Sequence, residues 1–382
     1  SRNIHELDDL QVCASNINPV GQQIDHFELS YAANALTCNP QPVTIRACLN
    51  SSCSSLYTNP VSVTLKPANY WTATAPATVS GSTITFSGGT ALAQLRVPTA
   101  SSVTLEVQAS LPSTRPNSQT LCSSAGCEID YAASGLLLQV PNLLAAKPTP
   151  ASISAVRASD NALQCVPAFA DVDRQVQFTA THVDPAGGSE SVLVNGSSVG
   201  SSASSIDLHF DTNGTAPLLV RYDDAGLLNL SATYSGNAAN GDEGLVLNGA
   251  DQFVSKPYGL CLQTASTLSA STDCSDASCA LFPGGIRAGD SFPLTIRAVG
   301  WESDNEPLTA AQLCSGNITT ANFRLADIDL SSTVVAPSNG DHGVVTPASY
   351  NHALGNATTS THSVSEVGVF TLTATPPTAG YL

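Results

Sequence analysis

Apolar and polar residues alternate along many short stretches of this chain, and this alternation predicts β-strands. It is clearest at residues 43–49, 176–183 and 294–301. Asn-Gly dipeptides at residues 195, 213, 248 and 339 add the tight turns that such strands need. No window of about 15 residues shows sustained helical periodicity, and the best short helix candidates are residues 5–12 and 309–313. The pattern predicts an all-β protein.

The strand pattern recurs along the chain. GLLLQVPNLLAAKP at residues 135–148 and GLVLNGADQFVSKP at residues 244–257 have the same spacing from Gly to Lys-Pro. Upstream, a strand with alternating apolar residues occurs in three copies: Val103, Leu105 and Val107; Leu228, Leu230 and Ala232; Phe370, Leu372 and Ala374. Repeats at domain-sized spacing predict an array of similar units.

We expect three tandem immunoglobulin-like β-sandwiches, at residues 24–148, 149–257 and 258–382, because strand periodicity, turn signals and repeat length fit that fold. Residues 1–23 are expected to be a linker or the end of a preceding domain. The repeated phrase is interpreted as closing the first two units. The third reaches Leu382 before such a phrase, so it is expected to lack its final strand and to leave an open sheet edge. We therefore expect a segment of a longer protein, and the absence of Met agrees with this.

Charge and hydropathy exclude several partners. The formal net charge is −17, charged residues make up 11% of the chain, and the lysines are Lys66, Lys147 and Lys256. Nucleic-acid binding requires a basic face, so no nucleic-acid partner is expected. No apolar run approaches the ~20 residues of a membrane helix, so no membrane insertion is expected in this segment. The acidity fits a soluble exported protein.

The cysteines point to an oxidising compartment. Three pairs each enclose four residues, nearly all small or polar: Cys48 and Cys53, Cys122 and Cys127, and Cys274 and Cys279. We predict a disulfide in each pair, because no histidine clusters beside them as zinc sites require. Cys261 and Cys314 are predicted to pair with each other. The pairing of Cys13, Cys38 and Cys165 stays open, since three cysteines cannot all pair internally.

The search for chemistry gives no catalytic set. Residues 196–200 match the G-x-S-x-G nucleophile motif, but another strand follows instead of the required helix, so a turn between strands is favoured. His342, His352 and His362 are interpreted as surface-loop residues. The acidic pairs are interpreted as solvated turns, with calcium as the alternative: Asp171 and Asp173, Asp223 and Asp224, Asp242 and Glu243, Asp327 and Asp329. No cofactor, catalytic residue or metal ligand is predicted, and the ligand-binding residues are unknown.

Several phrases together resemble one bacterial family. IDHFELSYAANALTCNPQPVTIRACLNSSCSSLY at residues 24–57, DQFVSKPYGLCL at 251–262 and AGDSFPLTIRAVGWESD at 288–304 are similar to a region of MshQ-type proteins. LQCVPAF at 163–169 and SVSEVGVFTLTAT at 363–375 extend the resemblance over nearly the whole chain. These proteins are encoded with the mannose-sensitive haemagglutinin (MSHA) pilus, a type IV pilus of Gram-negative bacteria. The resemblance implies export and a role in pilus biogenesis or surface adhesion.

We therefore expect a non-enzymatic extracellular or cell-surface protein, an adhesin stalk or pilus component whose partners are pilus or cell-surface components. Two alternatives stay open. One is a subunit of an extracellular filament, in which a neighbouring copy completes the open β-edge. The other is a set of accessory β-sandwich modules of a secreted polysaccharide hydrolase. The ligand, the oligomeric state and glycosylation are not determined by the sequence.

Overall fold

The computed structural model describes residues 22–68, 70–160, 164–264, 286–377 and 381. Contacts divide these residues into two compact units. Unit one contains the described residues up to Ala133 together with Ala158–Cys165. Unit two contains the other described residues and holds two successive β-sandwiches.

Unit one is built around the first sandwich. Its strands are β1 (His26–Ser30), β2 (Asn34–Leu36), β3 (Gln41–Cys48), β4 (Val61–Lys66), β5 (Trp71–Ala73), β6 (Thr78–Ser80), β7 (Thr83–Phe86), β8 (Thr90–Leu95), β9 (Ser101–Thr104), β10 (Glu106–Leu111), β11 (Leu121–Cys122) and β12 (Glu128–Ala132). They form sheets in the orders β11-β1-β3-β8-β5, β10-β4-β7-β6 and β2-β12-β9. A 3₁₀ turn spans Ala125–Cys127.

The alternation in β3 shows why these residues form strands. Val43, Ile45 and Ala47 point to one face and are fully buried. They pack in a core with residues such as Phe27 of β1 and Trp71 of β5, two other strands of the same sheet. Because successive side chains of a strand point to opposite faces, this pattern fixes which face of β3 meets the core.

The second sandwich begins unit two. Its strands are β13 (Ser134–Gln139), β14 (Leu143–Leu144), β15 (Thr149–Ala158), β16 (Cys165–Pro167), β17 (Val172–Asp184), β18 (Val192–Val194), β19 (Ser197–Val199), β20 (Ser204–Phe210), β21 (Thr215–Arg221), β22 (Gly226–Ser235) and β23 (Val246–Lys256). One sheet has the order β13-β15-β21-β18-β19, with β16 beside β15. The other has the order β14-β23-β22-β17-β20. A 3₁₀ turn spans Ala238–Asn240.

Large aromatic side chains fill the space between these two sheets. Phe178, Phe210, Phe253 and Tyr234 belong to one continuous buried cluster. Each comes from a different strand of the β14-β23-β22-β17-β20 sheet. A core built from long-range strand contacts of this kind gives the second sandwich an interior of its own.

The third sandwich contains β24 (Gly259–Thr264), β25 (Phe292–Val299), β26 (Leu325–Ala336), β27 (Val345–Thr346), β28 (Ser349–His352), β29 (Thr358–Val364) and β30 (Val369–Thr375). Its sheets have the orders β24-β25-β29-β27 and β28-β26-β30. The short helix α1 (Ala310–Leu313) lies within the predicted helix candidate at residues 309–313. The other candidate, residues 5–12, lies outside the described residues.

The sheets of the second and third sandwiches correspond strand by strand. The order β24-β25-β29-β27 matches β13-β15-β21-β18, and β28-β26-β30 matches β20-β17-β22. In the second sandwich, β23 pairs with the outer side of β22 along its whole length. Within the described residues, no strand pairs with the corresponding side of β30.

The two copies of the repeated phrase occupy different places in the second sandwich. The first contributes β13, which pairs antiparallel with β15, and β14. The second contributes β23, and β14 runs parallel to it with Leu143 opposite Ser255. The strand pairings thus assign the first copy to the beginning of the second sandwich, which differs from the boundary expected at Pro148. Sequence similarity between the copies reflects similar strand patterns, not the same position in the fold.

Candidate functional site

The junction between the second and third sandwiches, inside unit two, is crossed by several polar contacts. The turn after β14 meets the end of β25: Trp301 donates its backbone N–H to the carbonyl oxygen of Ala145 at 2.8 Å. Gly300 permits this approach, because a Cβ there would lie 3.1 Å from the same oxygen and 3.2 Å from the Cβ of Ala146. Backbone and small side chains therefore bring the two sandwiches into direct contact.

A buried carboxylate lies at the centre of the junction. Asp224, between β21 and β22, is only 6% exposed. Its Oδ1 accepts hydrogen bonds from the backbone N–H of Ala225 at 2.7 Å and from that of Asn322, in the third sandwich, at 2.9 Å. Burial raises the pKa of the Asp224 carboxyl above its usual range, and the two backbone donors oppose that rise. The side chain thus bridges the sandwiches at a position where its charge is poorly solvated.

Further side chains surround this bridge. The Tyr222 hydroxyl lies 3.1 Å from Nε2 of His182 and accepts a hydrogen bond from Nδ2 of Asn322 at 3.3 Å. Arg324 of the third sandwich pairs with Asp184 of the second at 2.5 Å. Asp224 is therefore part of a network that crosses the junction.

A lysine of the first repeated phrase adds a contact at the rim. Nζ of Lys147 lies 2.9 Å from Oδ1 of Asp304 and 5.3 Å from the ring centroid of Trp301. Lys256, the lysine of the second copy, is exposed. Because the rim is solvated, each of these interactions is weak on its own.

A cleft of about 670 Å³ opens beside the junction. It is lined by Asp184, Pro185, Asn322, Arg324, Leu325, Ala326, Asp327, Asn351, His352, Pro377 and Tyr381. Burial lowers the pKa of His352 from 6.5 to about 4, so the imidazole is neutral at physiological pH. Its Nδ1 lies 3.2 Å from the Tyr350 hydroxyl, and its Nε2 has no hydrogen-bond partner among the described residues. The lining combines the neutral His352 ring with the ion pair between Asp184 and Arg324.

The side of β30 with which no strand of the described residues pairs is the second candidate interaction surface. Phe370, Leu372 and Ala374 face inwards on this strand, yet all three are only half-buried. Their counterparts on β22, beside β23, are almost fully buried. An unpaired strand edge with incompletely covered apolar residues is suited to accept another strand.

The predicted cysteine pairs are placed as follows. Cys48 and Cys53, Cys122 and Cys127, and Cys261 and Cys314 are joined in disulfides, with Cα–Cα distances of 4.8, 5.3 and 5.1 Å. Cys274 and Cys279 lie outside the described residues, as does Cys13. Cys38 and Cys165, whose pairing the sequence left open, are bonded to each other across 127 positions.

Residues 196–200 do not form a nucleophile site. Asn195 and Gly196 have φ values of 51° and 81° and make the tight turn between β18 and β19. Ser197 and Ser198 lie on the returning strand, and both are exposed. The preference for a turn between strands agrees with this geometry, because the strand-to-helix turn of the motif is replaced by a hairpin.

Two interpretations of polar residues were wrong. His352 and His362 are buried in the third sandwich and are not surface-loop residues. Nε2 of His362 lies 2.6 Å from the Ser360 hydroxyl, which satisfies it inside the fold. Asp224 is likewise buried and is not part of a solvated turn. The small residues Ala225 and Gly226 that follow Asp224 are the sequence signal for this close packing.

The acidic pairs considered for calcium do not converge in the described parts of the chain. The loop at Asp211 is organised by its own carboxylate, whose Oδ1 accepts from the backbone N–H groups of Asn213 and Thr215. These bonds lower the pKa of the Asp211 carboxyl. Among the described residues, the possible metal ligands that do converge are His26, Glu28 and Cys48 in the first sandwich. Sequence spacing gave no sign of this convergence, because it depends on the pairing of β1 with β3.

Three family models match successive parts of the chain. Residues 24–113 match a domain of unknown function, DUF8613. Residues 119–250 match DUF6701, described as its first Ig-like domain, and residues 256–363 match the second domain of DUF6701. The fold is immunoglobulin-like. Together with the almost complete absence of helix among the described residues, these matches confirm the predicted all-β, tandem sandwich class.

Several solved structures are distantly similar to the chain. The D0-D1 domain of intimin is 16% identical, with 60% of this chain and 98% of that chain covered and a TM-score of 0.25. The Yersinia pseudotuberculosis adhesin InvE is 13% identical, with coverage of 64% and 65% and a TM-score of 0.20. Invasin, a bacterial integrin-binding protein, is 12% identical, with coverage of 94% and 60% and a TM-score of 0.26. No curated protein sequence matches the chain. Because every TM-score is below 0.5, these similarities carry no functional argument.

In the parts of the chain that the structure describes, no helix is both long enough and apolar enough to cross a bilayer.

Proposed function

We propose that this chain is part of a non-enzymatic, extracellular surface protein in which immunoglobulin-like sandwiches serve as a stalk. The observation that carries the proposal is the Asp224 junction, where a carboxylate of the second sandwich accepts a backbone hydrogen bond from Asn322 of the third. A junction with a buried polar bridge favours one arrangement of neighbouring domains, since other arrangements remove the hydrogen bond from the Asn322 N–H to the carboxylate. A stalk that holds a binding head away from a cell surface requires this kind of connection.

The disulfides support the extracellular part of the proposal. Short-loop disulfides such as Cys48–Cys53 and Cys122–Cys127 persist in oxidising compartments and are rare in the cytosol. The narrower assignment, to the MshQ-type proteins of the MSHA pilus system, depends on the phrases at residues 24–57 and 251–262. Under this assignment the partners are pilus or cell-surface components of a Gram-negative bacterium.

Domain replacement in the source bacterium tests the stalk. The third sandwich, residues 258–382, is exchanged for one unrelated immunoglobulin-like sandwich of similar length, which leaves the Cys38–Cys165 bond in place. Surface attachment is compared with that of a strain in which the third sandwich is deleted. We expect replacement to retain attachment and deletion to reduce it, because a stalk contributes length and stiffness but no ligand contact. Loss of attachment on replacement, with the protein still at the surface, would show that the third sandwich itself binds the target.

Surface labelling tests the location separately. Antibodies against the chain should label intact cells, and external protease should remove that label. Labelling only after the outer membrane has been permeabilised would contradict a surface location, whatever the replacement experiment shows.

The open edge of β30 favours a second candidate, a subunit of an extracellular filament. In this candidate a strand from a neighbouring copy takes the place that β23 occupies beside β22. Electron microscopy of the purified chain at increasing concentration distinguishes the two. Regular polymers would favour the filament over the stalk, and monomers at every concentration would exclude self-assembly through this edge.

A further inference from the structure

His26 and Cys48 lie directly opposite each other across the antiparallel pair of β1 and β3. Glu28, two residues after His26, points to the same face of β1 because strand side chains alternate. One ligand atom from each of these three residues lies within 4.8 Å of the other two. Imidazole nitrogen, carboxylate oxygen and cysteine sulfur are the three ligand types that zinc prefers.

His26 is oriented as metal-binding histidines are. Its Nδ1 lies 3.1 Å from Oδ1 of Asp25, and the other oxygen of Asp25 accepts from Nη1 of Arg115 at 2.5 Å. When a carboxylate accepts a hydrogen bond from the N–H at Nδ1, the lone pair of the neutral ring is on Nε2. His26 is only 5% exposed, and its Nε2 has no hydrogen-bond partner among the described residues. A buried acceptor is therefore directed into the cluster and left unsatisfied.

Glu28 presents one free oxygen to that nitrogen. Its Oε2 accepts a hydrogen bond from Nη1 of Arg46 at 3.1 Å, whereas Oε1 faces His26 Nε2 at 3.5 Å. Two ligands bound to zinc at about 2.0–2.2 Å in a tetrahedral arrangement are separated by roughly 3.3–3.5 Å. The spacing of these two atoms thus already fits a shared metal ion.

The third ligand is blocked by its covalent bond. The sulfur of Cys48 is joined to Cys53, so it has no thiolate lone pair to donate. We propose that opening the Cys48–Cys53 disulfide creates a zinc site made of Nε2 of His26, Oε1 of Glu28 and the sulfur of Cys48, with the Cys53 sulfur within reach of the fourth position. The disulfide and the zinc site are mutually exclusive states of the same residues.

The chemistry balances with a thiol reductant. A dithiol transfers two electrons and two protons to the Cys48–Cys53 bond, giving two cysteine thiols, and becomes a disulfide itself. Zinc then displaces the proton of each thiol that it binds, and the proton is released to solvent. The site exists only in chains whose disulfide is open, as in a reducing compartment before disulfide formation.

A single substitution exposes the site without any reductant. Cys53→Ser leaves Cys48 as a free thiol. Cys127→Ser is the matched control, because it frees Cys122 from a disulfide with the same sequence separation. Zinc binding by both full-length variants is measured by competition with a chromophoric chelator. We expect Cys53→Ser to bind one equivalent more than Cys127→Ser, and Cys53→Ser with His26→Asn to lose that equivalent. Equal zinc binding by the two single variants would overturn the proposal.

A second measurement covers the case in which Cys53→Ser does not fold. The unmodified chain is reduced with and without zinc, and the alkylation rates of Cys48 and Cys122 are followed by mass spectrometry. Zinc should slow alkylation of Cys48 several-fold more than that of Cys122, because only Cys48 has a histidine and a carboxylate beside it. Equal protection of the two cysteines, or none, would contradict a site at Cys48.

Discussion

The second and third sandwiches are built from matching strands, and β22 and β30 are the last matching pair. Within the described residues, a further strand, β23, covers the outer edge of β22, and no strand covers that of β30. β23 pairs with β22 from Gly226 opposite Ser255 to Ser235 opposite Val246. Beneath this cover Leu230 is fully buried. Leu372, at the corresponding place on β30, is half-buried. The alternation of a strand decides which side chains face inwards, and the neighbouring strand decides how completely they leave water.

The largest expected difference comes from shortening the two leucines. Leu230→Ala should cost the second sandwich about 2–5 kcal/mol of unfolding free energy, since it removes a fully buried side chain and leaves a cavity. Leu372→Ala should cost the third roughly half as much or less, because part of that side chain already contacts water. Urea titration with peptide-resolved hydrogen exchange measures each sandwich separately. Equal costs would indicate that the edge of β30 is covered in solution.

Acid should destabilise the third sandwich more than the second. His352 ends β28 opposite Leu325, whereas Phe210 ends β20 opposite Val172, so a titratable ring replaces an apolar one at the same place. The pKa of His352 falls from 6.5 unfolded to about 4 folded because of burial. The stabilisation by the neutral ring is complete above pH 6.5 and is lost as the pH falls through about 4. The full loss corresponds to about 3 kcal/mol.

His352→Phe tests this difference. The substitution should remove most of the acid-dependent loss between pH 6.5 and 4 and make the third sandwich respond as the second does. Urea midpoints are followed through Trp301 fluorescence in a Trp71→Phe background, so that the signal comes from the third sandwich. An unchanged pH slope in His352→Phe would show that another group causes the loss.

Two substitutions at Asp224 separate its hydrogen bonds from its charge. Asp224→Ala should destabilise the junction by about 1–3 kcal/mol, because the N–H groups of Ala225 and Asn322 lose their acceptor. Asp224→Asn keeps an oxygen acceptor and should be at least as stable as the unmodified chain at pH 7.

Burial raises the pKa of Asp224, so its stabilising contribution is complete below pH 3.8 and is lost as the pH rises through the folded value. Asp224→Asn should abolish that pH dependence of stability. An equal loss of stability in Asp224→Ala and Asp224→Asn would contradict separate roles for the hydrogen bonds and the charge.

The smallest expected effect concerns the lysines of the repeated phrase. Lys147→Ala should cost roughly 0.5–1 kcal/mol, because it removes the contacts with Asp304 and Trp301. Lys256→Ala is the matched control, and as an exposed residue it should change stability by less than about 0.5 kcal/mol. Thermal unfolding of both variants measures the difference. Identical melting curves would indicate that the Lys147 contacts do not contribute to the junction.

Local patterns predicted the strands well because alternation is a property of neighbouring residues. The stretches at residues 43–49 and 294–301 overlap β3 and β25 almost completely. The place of the first repeated phrase was not predictable in the same way, since it depends on β13 pairing with β15 rather than with a strand of the first sandwich. Similar strand patterns do not distinguish the first strand of a domain from its last.

The junction and the cysteine–histidine cluster required the fold itself. Asp224 is buried because Asn322, 98 positions away, packs against it. His26 meets Cys48 through the register of two strands, which no sequence spacing displays. The pairing of Cys38 with Cys165 stayed open at the level of sequence, because their bond joins residues 127 positions apart. Short enclosed loops predicted Cys48–Cys53 and Cys122–Cys127, whereas Cys261–Cys314 was predicted because those two cysteines remained in the third unit.

The Cys38–Cys165 bond has a mechanical consequence. Tension applied to the two ends of the chain passes from residue 38 to residue 165 through the sulfur atoms, so the residues between them bear none of it. Those 127 positions correspond to roughly 430 Å of fully extended polypeptide. This length cannot be released by pulling while the bond is intact, even if the enclosed strands unfold. Under shear, this protein would therefore lengthen by that much less than the same chain without the bond, and unfolding would add length only before residue 38 or after residue 165.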